Sequence, residues 1–162
     1  SLVGSEMCIR DRYMIVNELE NTVVKKYMNL LLLADPEKQA IEQYINQCQV
    51  YLLSDHHQSQ TLAIAAVEKL SDAEIELKNI AVHPLYRRKG QGTYLMTWLF
   101  NKYRNMTMYV GTSDTESTLN FYYRLSFEDY DIRKNFFISQ YEQPIYDNGK
   151  LLKDMKILKK DL

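Results

Sequence analysis

Between Glu74 and Val82 the chain reads EIELKNIAV, a strand-like run whose apolar residues change phase partway along. Ile75 and Leu77 keep one alternation, whereas Ile80 and Val82 belong to the other. Successive side chains of a strand point to opposite faces, so one face can hold both pairs only if the pleat slips by a residue. A bulge near Lys78-Asn79 would produce that slip and bend the strand away from its neighbour. A strand buried on both faces, which needs no regular alternation, is the other way to accommodate the pattern.

The same strand leads through His83-Pro84 into a basic, glycine-containing turn: Arg87, Arg88, Lys89, Gly90, Gln91, Gly92 and Thr93. A helix is expected from about Gly92 to Tyr103, with Leu95, Met96, Leu99, Phe100 and Tyr103 inward. Amides at a helix start have no intrahelical acceptor and carry the positive end of the dipole. Glycines at 90 and 92 let a ligand approach those amides, and three cations add charge, so the turn suits a pyrophosphate. It matches neither a Walker loop nor G-x-G-x-x-G. Taken alone, R-x-x-G-x-G is a weak pattern, better explained by an ordinary solvated turn; its position between a strand and an amphipathic helix is what gives it weight.

Elsewhere the pattern predicts a strand over Tyr13–Leu19, a helix over Asn17–Ala34, and a second helix after Asp35-Pro36, with Asp35 as its cap. That helix would put Cys48 on its buried face, a core residue and not a nucleophile. Strands are expected at Val50–Leu53, Leu62–Leu70, Glu74–Val82, Met106–Val110, Phe127–Ile132 and Asp154–Leu158, and a helix at Glu116–Leu125. Asn148-Gly149 marks a turn between the last two strands. This order argues for one mixed α/β domain over residues 14–162. Ser1–Arg12 reads SLVGSEMCIRDR, without periodicity or a signal-peptide pattern. Residues 1–13, with Cys8, are expected to lie outside the domain, as read-through of a sequencing-library transposon end or a poorly ordered extension.

A formal net charge of -1 provides no basic field to draw the chain to nucleic acid or an anionic membrane. No apolar run is long enough to span a bilayer. Cys8 and Cys48 are too few for a disulfide framework, and neither they nor the adjacent His56 and His57 have metal-ligand spacing. A cytoplasmic protein with no metal is expected.

Two stretches together resemble a known family. Ile75–Thr93, IELKNIAVHPLYRRKGQGT, is similar to the acetyl-CoA-binding segment of the GNAT superfamily of N-acetyltransferases, and Asn120–Phe127, NFYYRLSF, to its second signature, F-Y-x-K-x-G-F. The resemblance implies the GNAT fold, a mixed α/β architecture with a central, mostly antiparallel twisted sheet, a bulged and splayed strand pair, and flanking helices. It implies acetyl-CoA as cosubstrate, its pantetheine arm on the main chain of Ile80, Ala81 and Val82. The pyrophosphate would meet main-chain amides from Arg88 to Thr93 (Arg88, Lys89, Gly90, Gln91, Gly92, Thr93), with Arg87 at the family's Q/R position. Tyr122 matches the tyrosine that approaches the CoA sulfur. A phenol titrating near ~10 is protonated at neutral pH and can donate to a departing thiolate. Tyr123 is a weaker candidate, because Phe121-Tyr122 aligns with the F-Y pair.

Glu76, with Glu74 beside it, lies where some members keep a carboxylate base; exposed strand charges are an equally good reading. Without an activated nucleophile, direct transfer in a ternary complex is expected. Two departures stand out. Ser126 replaces the usual glycine, so the helix exit is expected to be made differently. Asp114 stands nearest to a CoA-contacting asparagine, where an acid would either repel phosphate or cap the helix. Phe136, Phe137, Tyr141, Glu142, Tyr146 and Asp147 in the tail would suit a small-molecule cationic amine acceptor, or an ordinary half-exposed surface. A peptide acceptor, a non-catalytic acyl-CoA-binding module, and a homodimer through the later strands remain open.

Overall fold

The computed structural model describes residues 14–57, 60–87 and 89–162, so the expectations for residues 1–13 and for Arg88 lie outside the described residues. Its organising element is β4 (Glu74–Val82). Its antiparallel register with β3 (Thr61–Lys69) steps from Ala66↔Asn79 to Val67↔Leu77. Lys78 is thus the extra residue of a bulge. Ile75 and Leu77 before it, and Ile80 and Val82 after it, all join the same hydrophobic cluster. The phase slip in the sequence is therefore a real slip of the pleat.

A seven-stranded sheet forms around β4 in the order β1-β2-β3-β4-β5-β9-β6. The other strands are β1 (Met14–Leu19), β2 (Cys48–Asp55), β5 (Thr107–Thr112), β6 (Glu128–Arg133) and β9 (Met155–Asp161). The pairing of β4 with β5 is parallel, and the remaining pairs of this sheet are antiparallel. One face carries α3 (Gln91–Lys102) and α4 (Glu116–Arg124), whose Leu95, Met96, Leu99 and Tyr122 pack with Leu53, Ala63, Ala65 and Ile75. The other face carries α1 (Met28–Leu31) and α2 (Lys38–Tyr44), which bury Leu30, Leu31 and Ile41 against Leu52, Ile64 and Ala66. The alternation of β2 and β3 divides their residues between these two clusters.

Several elements depart from expectation. The helix expected over Asn17–Ala34 is shorter and broken: β1 runs to Leu19, a 3₁₀ turn covers Val24–Tyr27, and α1 is a single turn. Asp35 does not cap the next helix from its N-cap position, which is Glu37; its carboxylate instead bonds two tyrosines. Cys48 opens β2 instead of lying on a helix, but it is buried, and that burial pushes its thiol up to about 12. The tail adds α5 (Phe136–Ser139) and a small hairpin of β7 (Tyr146–Asp147) and β8 (Lys150–Leu151). Asn148 and Gly149 both have positive φ, 51° and 79°, as a primed hairpin turn requires. The turn signal was sound, yet it closes this hairpin and does not join β6 directly to β9.

The exit of α4 is also not made differently. Ser126 takes the left-handed conformation itself, with φ 68°. Its amide bonds Tyr123 O at 3.0 Å and the Phe127 amide bonds Tyr122 O at 3.1 Å, the two hydrogen bonds of a Schellman motif. The Phe127 ring packs on Tyr122 at 5.5 Å between centroids, which fixes both the end of the helix and the place of Tyr122. A Cβ in this conformation costs about 1 kcal/mol. Ser126→Gly should therefore raise unfolding stability by about 0.5–1 kcal/mol, a small gain because glycine also loses more backbone entropy; urea denaturation of both proteins checks it.

Candidate active site

The β4–β5 ladder holds only from Glu74↔Thr107 to Leu77↔Val110. Past the bulge, β4 stays bonded to β3 as far as Val82, and β5 to β9 as far as Thr112. The two strands therefore diverge while each remains held on its outer side. The resulting crevice, about 620 Å³, is lined by both strand ends, by Gly92, Phe121 and Tyr122 on one side, and by 33–36 and parts of the tail on the other. The His83 amide bonds Leu62 O on the β3 side. By alternation, the Val82 and Ile80 amides turn the other way, toward the gap.

At one end of the crevice is the start of α3. Gly90 occupies the N-cap position with φ 83°, and no atom lies within 4 Å of where its Cβ would be. A Cβ on Gly92 would meet Val82 Cγ2 at 3.4 Å and Phe121 Cε1 at 3.5 Å, so the helix start is packed closely on the crevice wall. Arg87 lines the crevice and its Nε donates to Val82 O at 3.4 Å. With its amide nitrogen turned toward them, Gln91 donates to Tyr86 O at 2.9 Å and Lys89 O at 3.1 Å, which braces the turn from within. Ile80, Ala81, Val82, Arg87 and Gly92 are brought together in the crevice lining; Lys89, Gly90, Gln91 and Thr93 continue the turn outside it. Free helix amides, unpaired strand amides and glycine where side chains would obstruct are what a phosphorylated, amide-bearing arm requires. The residues present fit acetyl-CoA.

Tyr122 is 6% exposed and lines the crevice; its ring packs between Phe121 and Phe127. Burial alone raises its phenol above the ordinary value, so it stays protonated across the working pH range. Among the described residues no group accepts a hydrogen bond from its hydroxyl. Tyr123 is committed elsewhere: its hydroxyl donates to Asp129 Oδ1 at 2.5 Å and accepts from Lys156 at 3.3 Å.

Glu76 and Asp114 do not reach the crevice either. Glu76 shares a face with Glu74 and Lys78, but its carboxylate takes the Lys78 ammonium at 2.8 Å, and Lys78 is the residue that lines the crevice. Glu74 accepts from Tyr109 at 2.9 Å. Asp114 pairs with Lys150 at 3.0 Å, tying the β7–β8 hairpin to the loop before α4, and it neither lines the crevice nor stands as the N-cap, which is Thr115. Asp147, one of the tail residues the sequence offered, and Asn79, which it did not, both line the crevice. Asp147 Oδ2 accepts from Ser113 at 2.7 Å, Thr115 at 2.6 Å and Thr118 at 3.3 Å, and so pins the hairpin over the N-terminus of α4. Asn79, 4% exposed at the bulge, donates to Leu31 O and to Tyr44. A polar residue inside an otherwise apolar strand half was the available signal for Asn79. Among the described residues no cluster of His, Cys, Asp or Glu is placed to hold a metal, and no helix is long and apolar enough to cross a membrane.

Comparison with known proteins agrees with this geometry. Residues 46–129, just over half of the chain, match the acetyltransferase (GNAT) domain family. The chain is 28% identical over 149 residues to the uncharacterised N-acetyltransferase YvbK of Bacillus subtilis strain 168, covering 90% of this chain and 95% of that one. It superimposes with a TM-score of 0.81 on a GNAT family acetyltransferase from Elizabethkingia anophelis with acetyl-CoA bound, at 29% identity over 93% of this chain and 99% of the other. An IAA acetyltransferase from Bacillus cereus ATCC 14579 shares the fold with a TM-score of 0.81, at 24% identity over 92% and 99% of the two chains. With its splayed strands, its glycine turn and a domain match in the same segment, the chain belongs to the GNAT family and is an acetyl-CoA-dependent N-acetyltransferase.

Proposed function

We propose that the protein acetylates the primary amine of a small molecule by direct attack within a ternary complex, with Tyr122 as the general acid. The observation that carries this reading is the Tyr122 hydroxyl, protonated and without an acceptor among the described residues, at the wall of the splayed-strand crevice. Acetyl-CoA, when bound, supplies an acyl thioester. Ile80 and Val82 amides would hold its arm, and the turn from Arg87 to Thr93 its pyrophosphate. The main chain thereby fixes the position of the sulfur, and Tyr122 hands its proton to that sulfur as the C–S bond breaks and the C–N bond forms. An acceptor that arrives as the ammonium sheds two protons in becoming an amide. One restores Tyr122 and the other leaves to solvent, so the charges balance.

A small acceptor is supported by the tail: Phe137, Tyr141, Ile145 and Tyr146 line the crevice and occupy room that an extended peptide would need. Cys48 is buried with a raised thiol, which supports direct attack over a covalent acyl-enzyme.

Tyr122→Phe should lower kcat about 100-fold while the Kd for acetyl-CoA stays within about twofold; release of free thiol, followed with a chromogenic disulfide, gives kcat, and calorimetry gives Kd. Unchanged turnover would remove Tyr122 from the mechanism. Gly90→Val, which forces a β-branched residue into a left-handed site, should weaken acetyl-CoA at least tenfold and leave a folded protein; calorimetric titration alongside a thermal melt tests both parts.

A further inference from the structure

Asp35 is 9% exposed and lines the crevice on the side opposite α4. Its Oδ1 accepts from Tyr141 at 3.0 Å, its Oδ2 from Tyr44 at 3.2 Å, and the Glu37 amide adds a third hydrogen bond. Tyr44 has no freedom in this: Asn79 Nδ2 can only donate, and it does so to the Tyr44 oxygen at 3.1 Å, so the Tyr44 proton must point at Asp35. Two tyrosine protons and a main-chain amide thus converge on one carboxyl group, an arrangement suited to the ionised form. Yet among the described residues no Lys, Arg or His pairs with Asp35, and the nearby charge of Glu37 is of the same sign. Buried carboxylates ordinarily have a cationic partner, because burial without one costs several kcal/mol. The missing positive charge faces a crevice that must admit an amine.

We propose that the acceptor enters as a cation and that Asp35, oriented by Tyr44 and Tyr141, is the carboxylate that binds its ammonium group. This rests on reading the crevice as an N-acetyltransferase site. The acceptor class is then a small aliphatic amine bearing positive charge. Phe137, which also lines the crevice and stacks with Tyr141 at 5.9 Å, offers an aromatic surface for the cation or its carbon chain. Asn79 reinforces the arrangement: its Oδ1 is buried without a partner among the described residues, a cost the fold bears to keep Nδ2 on Leu31 O and Tyr44. Asp35 is a positioning and specificity residue here, since the proposal assigns it no bond-breaking step.

A latch that merely fastened the tail would behave differently, which makes stability a second readout. Burial, above all, raises the Asp35 carboxyl; Tyr141, Glu37 N–H and Tyr44 pull it back only in part, and the Glu37 charge adds to the rise. The folded state therefore holds the Asp35 proton more tightly than the unfolded chain does. Wild type loses stability as pH climbs from the ordinary carboxylate range through the raised value, and a variant with Asn at this position escapes that loss.

The experiment titrates butylamine, 1,4-diaminobutane and phenethylamine into the CoA-loaded full chain, with 1,4-butanediol as the uncharged control, for wild type and Asp35→Asn. The expected result is saturable binding of at least one amine and none of the diol. Asp35→Asn should weaken amine binding at least tenfold, leave the CoA Kd within twofold, and melt no lower than wild type at pH 8, the difference closing toward pH 4. Amine binding that survives Asp35→Asn, or no binding of any of the three amines to wild type, overturns the proposal. Should Asp35→Asn not fold, wild type alone decides: amine affinity that rises with pH through the raised carboxyl value supports it, and flat affinity overturns it. Asp147, the other carboxylate in the lining, has its carboxyl below the ordinary range despite burial, because Thr115, Ser113 and Thr118 donate to it; it is already ionised over that span. The CoA titration reads the thioester site separately, so its failure counts against that site and not against Asp35.

Discussion

One interrupted ladder underlies the site. Parallel strands normally stay together for as long as their backbone groups can exchange hydrogen bonds. Here β4 and β5 part after Leu77 and Val110, because the extra residue Lys78 turns β4 away. An opening of this kind would close or fray if its walls were free. It persists because β3 holds the far edge of β4, and β9 the far edge of β5, past the point of divergence. The backbone groups left without strand partners are the ones a thioester-bearing arm can use. Catalytic capacity and an unfinished sheet are the same feature seen from two sides.

The helices and tail complete what the sheet begins. A continuous set of contacts runs from the bulge through Asn79, Tyr44 and Asp35 to Tyr141, and so joins β4, the N-terminal helices and the C-terminal tail. Across the crevice, Asp147 binds three hydroxyls around the start of α4, four residues before Tyr122 in the case of Thr118. Both carboxylates are held by uncharged donors, Asp147 by three hydroxyls on one oxygen and Asp35 by a tyrosine on each, but the Asp147 carboxyl is shifted down and the Asp35 carboxyl, through burial, up.

Much of this was legible in the sequence wherever the cause was local. The phase change within EIELKNIAV pointed to a bulge near Lys78-Asn79, with a strand buried on both faces as the other reading, and the register makes Lys78 the extra residue. The turn from Arg87 to Thr93 and the helix behind it were readable from glycine, charge and periodicity, and β4 has the expected bounds. Distant causes were not readable. The Asn17–Ala34 pattern had helical spacing, but Asn17–Leu19 belong to the strand expected over Tyr13–Leu19, and the remainder is a 3₁₀ turn and one helical turn whose packing the spacing did not announce. Asp35 before proline looked like punctuation because its tyrosine partners are 9 and 106 residues away. The tail hairpin and α5 are too short to have a period and depend on docking contacts distant in sequence, such as those of Asp147 with Ser113 and Thr115 and that of Asn135 N–H with Asp154 at 2.8 Å. Ser126 shows a local rule yielding: the Schellman hydrogen bonds and the Phe127–Tyr122 contact together outweigh the strain of a left-handed serine.

The strand order has a bearing on how the molecule is made. β9 follows β6 in the chain yet lies between β5 and β6, and among the described strands it is the partner that joins β6 to the sheet. While synthesis proceeds, residues 128–133 therefore have no ladder to join until 155–161 emerge. The loop they close is long, and loop closure of this kind precedes any reward from pairing. The helix bearing Tyr122 can form early, but the far wall of its crevice is braced only when β9 slots in. An incomplete chain thus carries Tyr122, the residue proposed as the acid, beside a crevice whose β5 wall still lacks its outer strand.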